Sequence, residues 1–355
     1  MKILYLTTSP EPAVAGTDAV FQEIEALRGK GGGDYLNLFP LARPSRFVPK
    51  FLYGIRALDQ VAELNQKYDL FHVYNSQLQV FPFLKKLKKP IIYSVVAGLG
   101  SQTRPPSKSD MQHIEKVVLS NERDAAIMDS WGFSNYRIIR SGIDTTHFKQ
   151  SLPSSPSPVD RASCPTPQSK FTLLVGSAPW TKGQFATKGI DALIAVASKM
   201  ADLRLVFLWR GGHLKLLQEK IAKAGIGEQI EIINERTDVG KLLQRVHATT
   251  VLAKTSKLVK AYPHSLMESL AACRPVLISR TIPMSDYVEQ NRCGEIIETL
   301  ELSDLQAAID ALRTNYSDIS IRITANNSND FSQQRLIEEY ENMYNKSCNL
   351  LALVA

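Results

Sequence analysis

The sequence predicts an α/β protein of two doubly wound, Rossmann-like domains, and three observations predict it. Short apolar runs of strand length alternate with longer amphipathic patterns from the first residues onward. The alternation stops at a Pro- and Ser-rich stretch, QSLPSSPSPVDRASCPTPQSK, and restarts after it. The length, 355 residues, exceeds what one ordinary core takes. Strands separated by helices pair in parallel through right-handed crossovers, so two parallel sheets facing across a cleft are expected.

In the first half, KILYLTTS reads as a buried strand, GTDAVFQEIEALRGKGGG as an amphipathic helix with a glycine stop, and DYLNLFPL, YDLFHVYNS, KPIIYSVVA and YRIIRSGID as further strands. In the second, FTLLVGSAP, LRLVFLWRGG, IEIINERT and TTVLAKTS read as strands. KGIDALIAVASKM, HLKLLQEKIAKAG and the segment from Val239 to Val246 read as helices. KAYPHSLMESLAACRPVLIS reads as a helix and then a strand. The boundaries expected are a first domain over 1–150, a linker or loop over 151–170, a second domain over 171–330, and a C-terminal helix over 331–355 that packs back on the first domain.

Composition is that of an ordinary globular chain, 44% hydrophobic and 22% charged. No apolar run has the length of a membrane span and MKILYLTTSP has no cleavage-site pattern, so a cytoplasmic protein is expected. Cys164, Cys273, Cys293 and Cys348 have neither zinc-site nor disulfide spacing; no metal is expected. A net charge of +7 points to an anionic partner: a phosphorylated small molecule, an acidic membrane face or nucleic acid.

In open parallel sheets ligands bind beyond the carboxyl ends of the strands, where helix amino termini offer N–H groups to phosphate. Gly16, ahead of the first helix, either permits a turn or lets the backbone approach a ligand; no GxGxxG accompanies it. Lys188, with Gly189, opens a helix where a cation opposes the macrodipole unless an anion lies between, so Lys188 is a phosphate candidate against a solvated lysine, with Lys182 a second in the same loop. If a helix starts at Pro263 or His264, the N–H groups of Ser265 and its neighbours, Leu266 among them, point toward the cleft and can hold phosphate. Glu268 then falls one turn in, as a ribose acceptor or as a plain surface acid.

Lys188-Gly189, PHSLMESLAACRPV and YRIIRSGIDTTHF together resemble the retaining glycosyltransferases of family 4, whose fold is GT-B. In the last segment Gly142, Ile143, Asp144 and Phe148 match the family's Asn-Gly-Ile-Asp and Phe, with Ser141 in place of the Asn. The resemblance implies sugar transfer from a nucleoside-diphosphate sugar with retention at the anomeric carbon. No cofactor is implied, and the donor is a UDP-sugar, or a GDP- or ADP-sugar. It places the nucleotide on the second domain and the acceptor, a glycan, lipid-linked sugar, small molecule or nucleic acid, on the first. By position, Glu268 corresponds to the ribose-binding second Glu of the family's E-x7-E motif, and Lys188 to the lysine on the diphosphate. Two positions depart from the pattern: Lys260 stands where the first Glu is expected, and Ser177 at or beside an expected Arg. Lys260 then binds an acidic sugar or replaces the Arg at the diphosphate, a charge that Arg210 or Lys254 could also supply. Glu235, Arg236 and Thr237 fall where the family contacts the nucleobase, and Tyr262 and His264 in the loop toward the sugar, giving Lys188, Lys260 and His264 as the catalytic candidates. Asn75 and Gly98, at two strand ends of the first half, are the acceptor-side candidates, Gly98 or Ala97 standing where the family often has a histidine. His72, inside a strand, reads as a core histidine. The rival readings are a non-catalytic nucleotide-binding homologue, an enzyme acting on modified nucleic-acid bases, and a two-domain binding protein.

LARPSRFVPKFLYGIRAL mixes basic and apolar residues, and LKKLKKP adds a basic turn. Such segments dock on an anionic membrane face, hold nucleic acid, or form a solvated surface.

Overall fold

The computed structural model describes residues 1–9, 18–40, 48–100, 102–150, 170–209, 212–326 and 329–354. The chain forms two compact units, Met1–Gly142 with Gln333–Ala355, and Ile143–Ser332.

The first unit is built on β1 (Ile3–Thr7), β2 (Asp34–Asn37), β3 (Leu70–Asn75), β4 (Ile91–Val95), β5 (Lys116–Leu119) and β6 (Tyr136–Ile138), in the order β2-β1-β3-β4-β5-β6. Every pairing is parallel, with Tyr5 opposite Tyr35 and His72, and Tyr93 opposite Val117. Alternation along these strands feeds two cores. Leu4, Leu6, Phe71, Val73, Tyr93 and Val117 face one, whereas Ile3, Tyr5, Leu70, Tyr74, Ile92 and Val118 face the other. Helix α1 (Ala19–Gly31) lays Val20, Ile24 and Leu27 on the second face. Asp18 caps it by accepting from the N–H groups of Val20 and Phe21, and Gly32, at φ 74°, ends it. Before residue 142 this unit also has α2 (Val61–Lys67), α3 (Lys108–Met111) and α4 (Glu122–Ser130).

The second unit contains α5 (Thr145–Gln150), β7 (Phe171–Val175), α6 (Gln184–Thr187), α7 (Ile190–Ala197), β8 (Leu203–Leu208), α8 (Leu214–Ala224), β9 (Ile230–Ile233), α9 (Val239–Gln244) and β10 (Ala248–Val251). Helix α10 (His264–Ala271), β11 (Val276–Ser279), α11 (Met284–Asn291), β12 (Gly294–Ile297), α12 (Leu302–Thr314) and α13 (Tyr316–Asn326) complete it. The strand order is β12-β11-β10-β7-β8-β9, again all parallel. Its central strands β7, β10 and β11 are buried without alternation, as crossover helices on both faces require.

The units divide at Gly142–Ile143 and Ser332–Gln333, away from the boundaries at 150 and 330 read from the sequence. The reason is packing: Ile143 and Phe148 are buried in the second unit's core, and the Ile143 N–H donates to Phe331 O over 2.8 Å. The Pro/Ser-rich segment 151–169 lies outside the described residues.

The final helix, α14 (Gln333–Val354), belongs to the first unit. Leu336, Ile337, Tyr340, Met343 and Tyr344 join the core under β1, β3 and β4. Buried polar atoms there are paired: His72 Nδ1 with Tyr344 Oη at 2.6 Å, His72 Nε2 with Ser94 Oγ at 2.8 Å, and Tyr340 Oη with Glu23 at 3.2 Å. His72 is a core histidine, and burial pushes its pKa down to about 3.

Candidate functional site

The second unit gathers most of the predicted residues at the carboxyl ends of β7 and β10. Gly176 follows β7, its N–H donating to Thr250 O over 3.1 Å. A Cβ added to it would lie 2.6 Å from Ser265 Cβ, so the first turn of α10 rests directly on this strand end. Only a residue without a side chain permits that approach.

The segment after Gly176 runs through half-buried Ser177 and Ala178 to exposed Lys182, then forms α6. Phe185 anchors this helix, buried with its ring 5.6 Å from that of Trp209. Lys188 ends the turn and Gly189, at φ 69°, redirects the chain into α7. The loop after β10 closes on it: a Cβ on Gly189 would lie 2.7 Å from Leu252 Cβ, and the Lys254 N–H donates to Thr187 O over 2.8 Å. Ser279 Oγ, accepting from the Ala253 N–H at 3.1 Å, fixes this loop from β11.

Lys188 is only 5% exposed, and its Nζ donates to Ala178 O over 3.0 Å. Burial lowers its pKa to about 8. Among the described residues this buried ammonium is held by a neutral carbonyl and by no counter-charge, and an anion would restore its basicity.

Pro263 precedes α10 in an extended conformation and offers no side-chain cap to its first N–H groups. The Leu266 N–H, read from the sequence as a phosphate donor, instead donates to Pro263 O at 3.1 Å. Glu268 is half-buried one turn from His264, on the same helix face. His264 is held neutral, its pKa pushed down to about 3 by burial and then by the charge of Lys260. Lys260 is half-buried, whereas Tyr262 is buried with its ring 6.1 Å from that of Phe331.

Glu235 and Arg236 are exposed and Thr237 half-buried at the end of β9, ahead of Asp238, which caps α9 by accepting from the Lys241 N–H. β9 is two strands from β7, a lateral offset of about 10 Å. Lys254 is exposed. Gly16 and Arg210 lie outside the described residues.

In the first unit Asn75 is buried and its amide is occupied: Oδ1 accepts from Thr8 Oγ1 and the Ser76 N–H, both at 2.8 Å, and Nδ2 donates to Tyr93 Oη at 2.7 Å. Gly98 takes φ 82°, with Asp124 Oδ2 at 2.9 Å from an added Cβ. The Leu99 N–H donates to Asp124 Oδ1 at 2.8 Å, so this buried acid fixes the loop after β4. Burial raises its pKa even against those hydrogen bonds.

Sequence reading passed over three of these residues: Gly176, Asp124 and Trp180. Asp124 carried a signal, since Asn121 and Asp124 stand three apart at a helix start, and Asn121 caps α4 by accepting from the Asp124 N–H. Trp180, two residues past Ala178, is 65% exposed, while its N–H is fixed by Gln184 Oε1 at 2.6 Å. Among the described residues, no group of three or more His, Cys, Asp and Glu side chains could hold a metal ion, and no helix is long and apolar enough to cross a membrane.

The folded chain is similar to several solved structures. The Anabaena protein HepE in complex with UDP and glucose superposes with a TM-score of 0.68 at 15% identity, over 98% of this chain and all (100%) of that one. A glycosyltransferase from Rickettsia africae gives 0.70 at 14%, over 98% of each chain, and sucrose-phosphate synthase from Thermosynechococcus elongatus 0.66 at 13%, over 99% and 100%. At these identities the likeness establishes the fold. No curated protein matches the sequence. Residues 168–329 match the family model described as glycosyl transferases group 1, and the chain as a whole has the GT-B fold.

Proposed function

We propose that this protein transfers a sugar from a nucleoside-diphosphate sugar to an acceptor with retention of anomeric configuration, and that the second unit holds the donor. The observation that carries the reading is that the segment ending β7 takes both contacts: buried Lys188 donates to Ala178 O, and the first turn of the helix that bears Glu268 rests on Gly176 two residues earlier. Lys188 binds the diphosphate and keeps its charge as negative charge grows on the leaving nucleoside diphosphate, while the Ser265 end of α10 adds its dipole. Glu268 accepts from the ribose hydroxyls. Glu235, Arg236 and Thr237, offset by two strands, suit the nucleobase end of an extended nucleotide. A UDP-sugar is the first donor to test, since HepE was solved with UDP and with UDP-glucose.

Lys260 and His264 face the sugar end in this reading. His264 is neutral across the physiological range, so it serves as a hydrogen-bonding group and not as a cation. Lys260 beside it favours a donor sugar that carries a carboxylate. The same cation supports a second reading, a nucleotide-binding homologue without transfer chemistry. The acceptor falls to the first unit, with the loop fixed by Asp124 at Gly98 as its floor, and the protein works in the cytoplasm at the inner membrane face.

The test is a thermal-shift panel of UDP, GDP, ADP, CMP and TDP, followed by donor hydrolysis with UDP-glucose and UDP-glucuronic acid. A nucleotide at 100 times its Kd stabilises by about 2.7 kcal/mol. Stabilisation by one nucleotide together with donor turnover supports transfer. Stabilisation without turnover of any donor selects the second reading, and no stabilisation by any nucleotide sinks both.

A further inference from the structure

Three stretches of the first unit, apart in sequence, are brought to one surface. Gly54, at φ 73°, sits between the 3-10 turns Lys50–Leu52 and Ile55–Ala57, and an added Cβ would lie 2.8 Å from Phe83 Cβ. Phe83 leads directly into the turn Leu84–Lys86. Asn65 of α2 also ties that turn down: its Nδ2 donates to Lys86 O at 3.1 Å, and its Oδ1 accepts from the Lys88 N–H at 2.7 Å.

The side chains left outside are of two kinds. Phe51 is 63% and Ile55 48% exposed, two of six large hydrophobic residues that stay exposed among the described residues. Arg56, Lys86, Lys88 and Lys89 are exposed and make no ion pair among the described residues, whereas Lys85 is paired with Asp110 at 2.6 Å. The exposed acids on the same elements are Asp59 and Glu63, so the cations outnumber them. Phe51 and Ile55 stand on turns whose backbone is held through Gly54, and do not rest on the core. Isolated apolar residues on a surface are common, but an aromatic and an aliphatic tip beside a cluster of one sign match what an acidic lipid interface takes up.

We propose that this surface docks on an anionic lipid bilayer, with Phe51 and Ile55 entering the headgroup boundary and Arg56, Lys86, Lys88 and Lys89 facing acidic headgroups. Each cation at such a surface contributes about fivefold in partitioning, falling with salt, while the apolar tips contribute a part that salt does not screen. The surface lies in the first unit and stands whether or not the second binds a nucleotide.

The experiment is flotation of the full chain with phosphatidylcholine vesicles, with and without phosphatidylglycerol, at low and raised salt. The expected result is binding that needs phosphatidylglycerol and keeps a salt-resistant fraction. Phe51→Ser with Ile55→Ser should remove that fraction and lower partitioning on the order of tenfold. Lys86→Glu with Lys88→Glu and Lys89→Glu should abolish binding, and Lys215→Glu with Lys223→Glu, exposed in the second unit, should leave it unchanged. Unshifted thermal melting of each variant shows that folding is intact. The proposal is overturned if the second-unit pair lowers binding as much, or if the Phe51 and Ile55 changes have no effect. It is equally overturned if duplex DNA competes the protein off the vesicles and binds through the same residues.

Discussion

Lys188 donates from Nζ to Ala178 O over 3.0 Å, and this neutral carbonyl is what the buried ammonium faces at the end of β7. With its pKa lowered to about 8, the lysine holds fewer protons in the folded than in the unfolded chain between pH 8 and the ordinary value of 10.5. The unligated fold therefore gains stability as pH rises through that window, by up to on the order of 3 kcal/mol. A diphosphate bound there would restore the charge, so nucleotide affinity should fall with pH above about 8, approaching tenfold per unit. Calorimetric titration across pH checks this; Lys188→Met should lower affinity and flatten the profile, and an unchanged slope would remove Lys188 from the diphosphate.

Gly176→Ala places a methyl against Ser265 and should cost about 1–3 kcal/mol by overpacking, shifting α10 and weakening nucleotide binding. Adding Ser265→Gly vacates the space. Melting of the two single variants and the double should show the double more stable than additivity gives; additive losses would mean that the two residues do not meet.

Glu268→Ala should weaken UDP binding by about 10- to 100-fold, the worth of hydrogen bonds to a charged group. The informative ligand is 2′-deoxy-UDP. The wild-type chain should discriminate against it and the variant should not, and equal discrimination by both would refute the ribose assignment.

Trp180 offers an optical readout. Of three tryptophans, Trp209 is buried and Trp131 half-buried, so acrylamide should quench Trp180 first. Ala178, the acceptor of Lys188, is two residues away, at most about 7 Å along the chain. Nucleotide binding should therefore change emission in the wild type and not in Trp180→Phe; emission insensitive to a nucleotide that raises the melting temperature would place the ligand elsewhere.

Tyr344→Phe leaves the buried Nδ1 of His72 without its 2.6 Å partner and should cost about 1–3 kcal/mol. Because burial depresses the His72 pKa, the unfolded chain takes up a proton at the ordinary value of 6.5 that the folded chain refuses until about pH 3. His72 thus contributes full stability above pH 6.5, lost progressively as pH falls through that window. Chemical denaturation from pH 7 to 4 should show the decline, and His72→Gln should reduce its slope.

The sequence alone determined most of the alternating elements and the parallel pairing, because side-chain periodicity and crossover handedness are local properties, but it passed over β5 and β12, whose four-residue runs carry little periodicity. It also located Lys188 and Glu268 on loops and helix starts, the places where open sheets bind ligands. The tertiary structure alone decided what those residues face. Nothing near Gly176 in the chain announces that Ser265 rests on it, and nothing near His72 announces Tyr344. The unit boundary moved for the same cause, since Ile143 and Phe148 found their apolar partners in the second core, and the Leu266 N–H was taken by Pro263 O. Close packing couples residues by distance in space, and periodicity along the chain carries no record of that distance.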